Sequence, residues 1–333
     1  MAYTAQITQD DQNRRMDRIL RKALPELPLS AIHKLLRKGQ VYIDGKPVDA
    51  SFKPQAGSIL EISSLEVEMQ RETDTEKNIS IPELSPLDIL YEHEALLFIN
   101  KKPGIPVHGK HSLDEAVQGY LKFKLPPSLS FKSGPLHRLD QGTSGIITFS
   151  KNLAGAQRFS EALRQHRLSK WYLAILQGTM TEPVQWNDVL LRDQEQHRSL
   201  VSHTASGGKE ARTTLYPLFY NPHPQKRFTL VLINLGTGRT HQIRVQAASH
   251  GYPLAGDIKY GAKKQAEPWF LHAYALGGLG TLNLGLPDEI QAPLSKTQMT
   301  LLKNIFSEPA QLLFLERLYQ TPPIKDLLDA IIK

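Results

Sequence analysis

The chain has 333 residues, 40% of them hydrophobic and 22% charged. These are values of a soluble globular protein long enough for more than one domain. Its 40 Lys and Arg against 33 Asp and Glu give a formal net charge of +7, which points to a polyanionic partner. The absence of cysteine excludes disulfides, thiolate zinc sites and cysteine nucleophiles, and suits a reducing cytoplasm.

The stretch from Met1 to Asp11 is polar and acidic, unlike a secretory signal. No apolar run approaches the roughly 20 residues that span a bilayer, so a cytoplasmic protein without a membrane partner, acting as a monomer, is expected. From Arg14 to Lys53 ten basic residues face four acidic ones, a balance of +6, whereas Ser64 to Asp88 carries seven acids and two bases. That second stretch is polar, contains Pro82 and Pro86, and reads as a linker over 64–87. A small basic domain over 14–63 precedes it, and a large domain over 88–333 follows.

Within the small domain, Asp17 to Leu24 has helical apolar spacing, and Ser30 is expected to cap a second helix from Ala31 to Lys38. Gly39 stops that helix, and Val41 to Ile43 with the Asp44-Gly45 turn reads as a hairpin. Basic helices leading into a hairpin can present Arg14, Arg37 and Lys38 to phosphates, or can be a plain solvated basic surface. The segment MDRILRKALPELPLSAIHKLLRKGQVYIDGK, with AGSILEI further on, resembles the S-four-like RNA-binding module. That resemblance implies a small basic α/β RNA-binding unit, and with the acidic linker that follows the unit is expected to be an independent grip on RNA on a flexible tether.

The large domain alternates short β-like runs with few helices. Ala95 to Asn100, Ile146 to Ser150, Tyr172 to Gln177, Thr213 to Phe219, Phe228 to Ile233 and Gln242 to Val245 read as strands, and Ala154 to Leu168 as an amphipathic helix. Strands joined by short polar loops favour antiparallel pairing. The expected fold is α+β around a mixed, mostly antiparallel sheet.

Two segments carry candidate chemistry. HRLDQGTSGIITFSK (His137 to Lys151) places Asp140 on a glycine-flanked turn at the edge of a strand, where a carboxylate can face a cleft or merely bond its own backbone. GTGRTHQIR (Gly236 to Arg244) gathers Arg239, His241 and Arg244 within six residues, with alternate residues on one face of a strand. The cluster suits phosphate or carboxylate contact and equally a basic strand edge.

Taken together, HRLDQGTSG, TGRTHQIR, GDIKYG, ILYEHEALLFINKKPGIPVHG and FLHAYAL resemble the ordered motifs of RluA-type RNA pseudouridine synthases. The likeness covers nearly the whole chain. Departures are Lys102, where a proline or small residue is usual, and Gln246, where a histidine is common. The resemblance implies detachment of a uridine base from its ribose, rotation, and reattachment through carbon. It implies Asp140 as nucleophile, Arg244 as its cationic partner and Tyr172 as the aromatic that stacks on the base. Arg138 would fill the space left by the flipped base and Ile243 would pack near it. The same likeness favours large-subunit ribosomal RNA as substrate, with transfer RNA as the alternative.

Other readings weaken on inspection. GIPVHGKH (Gly104 to His111) opens like a phosphate-binding loop, but His111 stands where Ser or Thr must hold magnesium. The 12 histidines form no H-E-x-x-H, so neither a metal nor an organic cofactor is expected. A non-catalytic RNA-binding or ribosome-assembly protein is the rival from another class, and an assay for pseudouridine would separate the two.

Overall fold

The computed structural model describes residues 3–63, 86–193, 198–202, 207–221, 227–262 and 269–332. The basic module contains β1 (Tyr3–Gln6), α1 (Met16–Ala23), α2 (Leu29–Arg37), β2 (Val41–Ile43), β3 (Lys46–Pro47) and β4 (Ile59–Ile62). Met16, Ile19 and Leu20 from α1 and Ile32 and Leu36 from α2 turn inward onto Val41, Ile43, Leu60 and Ile62. The 3.6-residue and two-residue periods of the sequence therefore meet in one small core. Asp44 and Gly45 both take positive φ, 49° and 75°, as the two-residue hairpin between β2 and β3 requires.

Two details of this module differ from the sequence reading. Helix α2 begins at Leu29 with Pro28 as its N-cap and no side-chain cap bond, so Ser30 lies inside the first turn. The fixed φ of proline makes that entry without a polar cap. The four-stranded sheet runs β1-β4-β2-β3, so it draws in residues ahead of position 14. The short β1 carries too few residues to announce itself. Most of the expected linker falls on 64–85, outside the described residues.

The large domain comprises β5 (Ile89–Glu92), β6 (Leu96–Lys101), α3 (Leu113–Leu121), β7 (Ser144–Ser150), α4 (Leu153–Arg164), β8 (Ser169–Gln177), β9 (Val184–Asp193), β10 (Arg198–Ser202), β11 (Lys209–Tyr220) and β12 (Phe228–Leu235). It continues through α5 (Gln242–Ser249), β13 (Leu271–Gly277), β14 (Glu289–Gln291), α6 (Lys296–Ile305), α7 (Pro309–Tyr319) and α8 (Ile324–Ile332). The sheet order is β10-β9-β11-β12-β8-β13-β7-β6-β5, with β14 added on β13. The β13–β7 pair is parallel, and the other described pairs of this sheet are antiparallel. The α+β class and the mixed, mostly antiparallel sheet are as expected.

Alternation along β8 assigns its side chains to two cores. Trp171, Leu173 and Ile175 pack towards α6, α7 and α8, with Met299, Phe306 and Leu315 opposite them. Tyr172, Ala174 and Leu176 face the other way, into the core shared with α3 and α4. The three C-terminal helices, not anticipated, thus close one face of the sheet and leave the other to build a site. Gln242 to Val245, expected as a strand, is the start of helix α5. Its Gln-Ile-Arg-Val-Gln-Ala run alternates polar and apolar residues, but Gln242 to Ala247 are all buried. A helix buried on all sides has no amphipathic stripe to read, so the accidental two-residue period misled.

Gly145 has a structural cause. It sits in β7 at φ 103°, and a Cβ there would lie 2.1 Å from the Ala273 carbonyl oxygen of β13. Both the backbone angle and the close approach of the parallel pair demand glycine. Gly145→Ala should therefore unfold the domain or cost it about 4 kcal/mol or more. Denaturant melts of the two proteins check this, and a midpoint within the error of the parent would refute it.

Candidate active site

The turn after Leu139 is held from behind. The Asp140 carbonyl accepts from Thr143 N at 3.0 Å, closing a turn whose next residue starts β7. Lys101, 1% exposed, donates its ammonium to the carbonyls of Lys102, Ile105 and Gln141 at 2.9–3.0 Å. Gln141 in turn exchanges two hydrogen bonds with Gly104. Burial lowers the Lys101 ammonium to about 8, with Asp140 opposing the shift. Asp140 is thus both a turn residue, through its backbone, and a cleft residue, through its carboxylate. The segment Gly104 to His111 leads into α3, and its Pro106, Val107 and His108 line the space beside Asp140.

Helix α5 delivers the cation. Arg244, 6% exposed, donates through Nε and Nη2 to the two carboxylate oxygens of Asp257 at 2.7 and 2.8 Å. Its remaining Nη1 reaches Asp140 Oδ2 at 3.3 Å. The planar fork is therefore spent on Asp257, and a single longer contact goes to Asp140. Rings of Trp269 and Tyr260 lie 4.3 and 4.9 Å from the Arg244 Cζ, covering the guanidinium with aromatic faces. Burial acts to lower the Arg244 pKa, but the bonds to Asp257 and the charges of Asp257 and Asp140 outweigh it and hold the group above its ordinary value. It stays charged beside the carboxylate.

The first turn of α5 is set by an unusual entry. His241, its N-cap, takes left-handed φ 55°, placing Nε2 3.8 Å from Asp140 Oδ1 and Nδ1 2.8 Å from the Tyr260 hydroxyl. Burial lowers its pKa, and Asp140 opposes that fall. Gln242 accepts from the Thr237 hydroxyl and Arg239 N, while Gln246 bonds Thr213, Asp188 and the Ala211 carbonyl. These buried amides are satisfied and pin the helix against the sheet. Gln246, the departure from the family pattern, belongs to this framework.

These groups open onto a cleft of about 510 Å³ lined by Arg138, Asp140, Lys170, Tyr172, Arg239, Ile243 and neighbours. Tyr172 is 7% exposed, and burial, then the charge of Asp140, pushes its phenol up, so it is present as the neutral phenol. Ile243 is buried, and Arg138 is exposed where this cleft meets the space beside Trp269. Arg239 is exposed and donates Nε to the Glu210 carbonyl. Lys170, two residues before Tyr172 on β8, is lowered to about 8 by burial and then by Arg239. Among the described residues lining the cleft, Asp140 is the one carboxylate.

Asp140, Tyr172, Arg244, Arg138, Ile243, Arg239 and His241 therefore come together. Arg37 and Lys38 lie apart from them, exposed at the end of α2. Arg14 is turned inward, donating Nη1 to the Ser130 carbonyl and hydroxyl at 3.0 and 2.8 Å, so its guanidinium serves a contact between domains. Asp257, Tyr260, Trp269 and Lys101 were not singled out from sequence. The first two stand in or beside GDIKYG, the segment that could have drawn attention to them. His272 is buried and His137 partly buried, and burial lowers both to about 4. His137 accepts from Thr148 N and His272 bonds Ser144 and the Ala292 carbonyl. No group of three or more His, Asp or Glu among the described residues could hold a metal ion.

The RNA pseudouridylate synthase family model matches residues 95–249, and the S4 domain model residues 14–60. Ribosomal large subunit pseudouridine synthase C of Haemophilus influenzae is 30% identical over 308 residues, covering 87% of this chain and 93% of that protein. The chain belongs to the RNA pseudouridylate synthase family. The Escherichia coli K12 protein with the same name is 31% identical over 282 residues, covering 81% of this synthase and 86% of its own length. Among solved structures, human RNA Pseudouridylate Synthase Domain Containing 1 shares the fold, with a TM-score of 0.51 at 23% identity over 71% of this chain and 96% of that one. The synthase isomerises uridine to pseudouridine within RNA, and its N-terminal module is an RNA-binding S4 domain.

Proposed function

We propose that this synthase modifies uridines of large-subunit ribosomal RNA, with Asp140 as nucleophile, Arg244 as the cation that places it and Tyr172 as the surface against which the target base lies. The observation that carries the reading is the carboxylate of Asp140, alone of its kind among the described residues of a cationic cleft and bonded to a guanidinium that is itself immobilised by Asp257. The net reaction breaks the N1–C1′ bond, forms a C5–C1′ bond and moves one proton from C5 to N1. No external reactant is consumed, and side chains suffice for nucleophilic and electrostatic work.

The reacting uridine must leave its stack to reach a recessed carboxylate, at a cost of a few kcal/mol. Arg138, exposed at the cleft mouth, would occupy the gap in the RNA, and Ile243 would pack against the extruded base. Arg239, Lys170 and His241 suit the phosphates on either side. The large-subunit substrate follows from the names of the relatives, and the reading includes a monomer acting in the cytoplasm on ribosomal RNA. No helix among the described residues is long and apolar enough to cross a membrane.

Pseudouridine mapping in cells with and without the gene tests the substrate. A small set of large-subunit uridines should lose modification in its absence and regain it on complementation. Loss confined to transfer RNA would overturn the ribosomal assignment and leave the reaction standing.

A further inference from the structure

The module does not hang free of the catalytic domain. Asp11, in the turn after β1, is 0% exposed, and a buried carboxylate is tolerated only when donors surround it. Two donors are local: Thr8 N and Thr8 Oγ1, at 3.1 and 2.6 Å. The rest come from the catalytic domain: Ser128 Oγ at 2.8 Å, Leu129 N at 3.1 Å, Ser130 N at 2.8 Å and Ser130 Oγ at 2.6 Å. Between those serines, Leu129 packs against the apolar core of the module. Asp10 accepts from Leu153 N, at the first turn of α4, at 2.7 Å, and Arg14 reaches Ser130 from the other side.

We propose that Asp11 is a positioning residue that latches the basic module onto the Ser128–Ser130 loop, so that module and catalytic cleft take hold of RNA as one rigid body. The functional half rests on the reading that the module grips the substrate RNA. Charge-assisted bonds are the strong ones, and opening the contact would exchange four of them for bonds to water. A module already oriented has no ordering cost left when RNA binds, whereas a tethered one must be ordered at that moment. None of the latch residues lines the cleft. Loosening it should therefore weaken RNA capture and spare the chemistry.

The full chain has no cysteine, so Lys53→Cys and Lys122→Cys, one exposed site on each domain, can carry two spin labels without background. Their distance distribution is measured in the parent, in Asp11→Ala, and in Ser128→Ala with Ser130→Ala. The serine pair leaves the Thr8–Asp11 turn of the module intact, so it reads the latch even if Asp11→Ala disturbs the fold of the module. Steady-state pseudouridine formation is measured alongside on a large-subunit transcript. The parent should give one narrow distance, and the serine pair a broad distribution. In that variant KM should rise about tenfold and kcat stay within about twofold, a split that a general loss of structure would not produce. A narrow distance in both variants would refute the latch. A broadened distance with unchanged KM would refute its coupling to RNA. If the parent is inactive on that transcript but the distances behave as stated, the substrate reading fails and the latch stands.

Discussion

Replacing Asp140 with asparagine is expected to lower single-turnover pseudouridine formation by about a thousandfold or more. The change is nearly isosteric, and the turn carbonyl that accepts from Thr143 N is main chain, so the local fold has no reason to move. What disappears is the charge. Asparagine can still meet Arg244 Nη1 through its amide oxygen, but it is a poor nucleophile and stabilises no cationic sugar. No second carboxylate lines the cleft among the described residues to substitute for it. RNA affinity should stay within a few-fold of the parent, because a carboxylate among phosphates contributes nothing to capture. The measurement is the rate at saturating RNA, with binding and melting temperature recorded on the same preparations. A variant retaining more than a few per cent of the parental rate would remove Asp140 from the role of nucleophile.

Asp257→Ala is expected to damage both stability and catalysis, although Asp257 is held back from the nucleophile by the guanidinium between them. Removing it leaves Arg244 buried with one 3.3 Å contact to Asp140 in place of a bidentate pair at 2.7 and 2.8 Å. Breaking one side of a buried ion pair costs about 3–5 kcal/mol. The guanidinium would also turn its fork towards Asp140 or draw in water, shifting the nucleophile by a fraction of its reach. Misplacement on the order of 1 Å costs about a hundredfold in rate, so kcat should fall by about that factor in the fraction that remains folded. Arg244→Lys should fail for the complementary reason: one ammonium cannot hold two carboxylates in the plane that the fork serves. Thermal melts with single-turnover rates at a temperature where each variant is folded check both. A parental rate in Asp257→Ala would mean that Arg244 places Asp140 without help.

Much of this was legible in the residues themselves. The helical spacing of Asp17 to Leu24, the Asp44-Gly45 turn and the β-branched run after Gly145 each specify local structure through neighbours in sequence, where propensity and period are decisive. Asp140 and Arg244 stood out as candidates because their motifs are long and ordered, and Tyr172 because it falls at the tyrosine of the family that those motifs resemble. What those residues touch was not legible. The division of β8 between two cores, which turns Tyr172 towards the cleft and Trp171 away from it, follows from helices more than a hundred residues further on. The run from Gln242 shows two-residue alternation and yet is a helix, because its surroundings bury every side of it. Asp257 came to matter only when the chain returned it to Arg244, and the bidentate pair used the fork that the sequence alone would have given to Asp140. Arg14 and Asp11 show the same limit. A basic arginine reads as a phosphate ligand, and an acidic residue near a terminus reads as solvated, until a distant Ser-Leu-Ser loop supplies a buried partner for each. Sequence determined which chemistry the chain carries and the local elements that bear it. Tertiary structure decided which charges are buried together, since the energy of a buried charge depends on donors that no local pattern reveals.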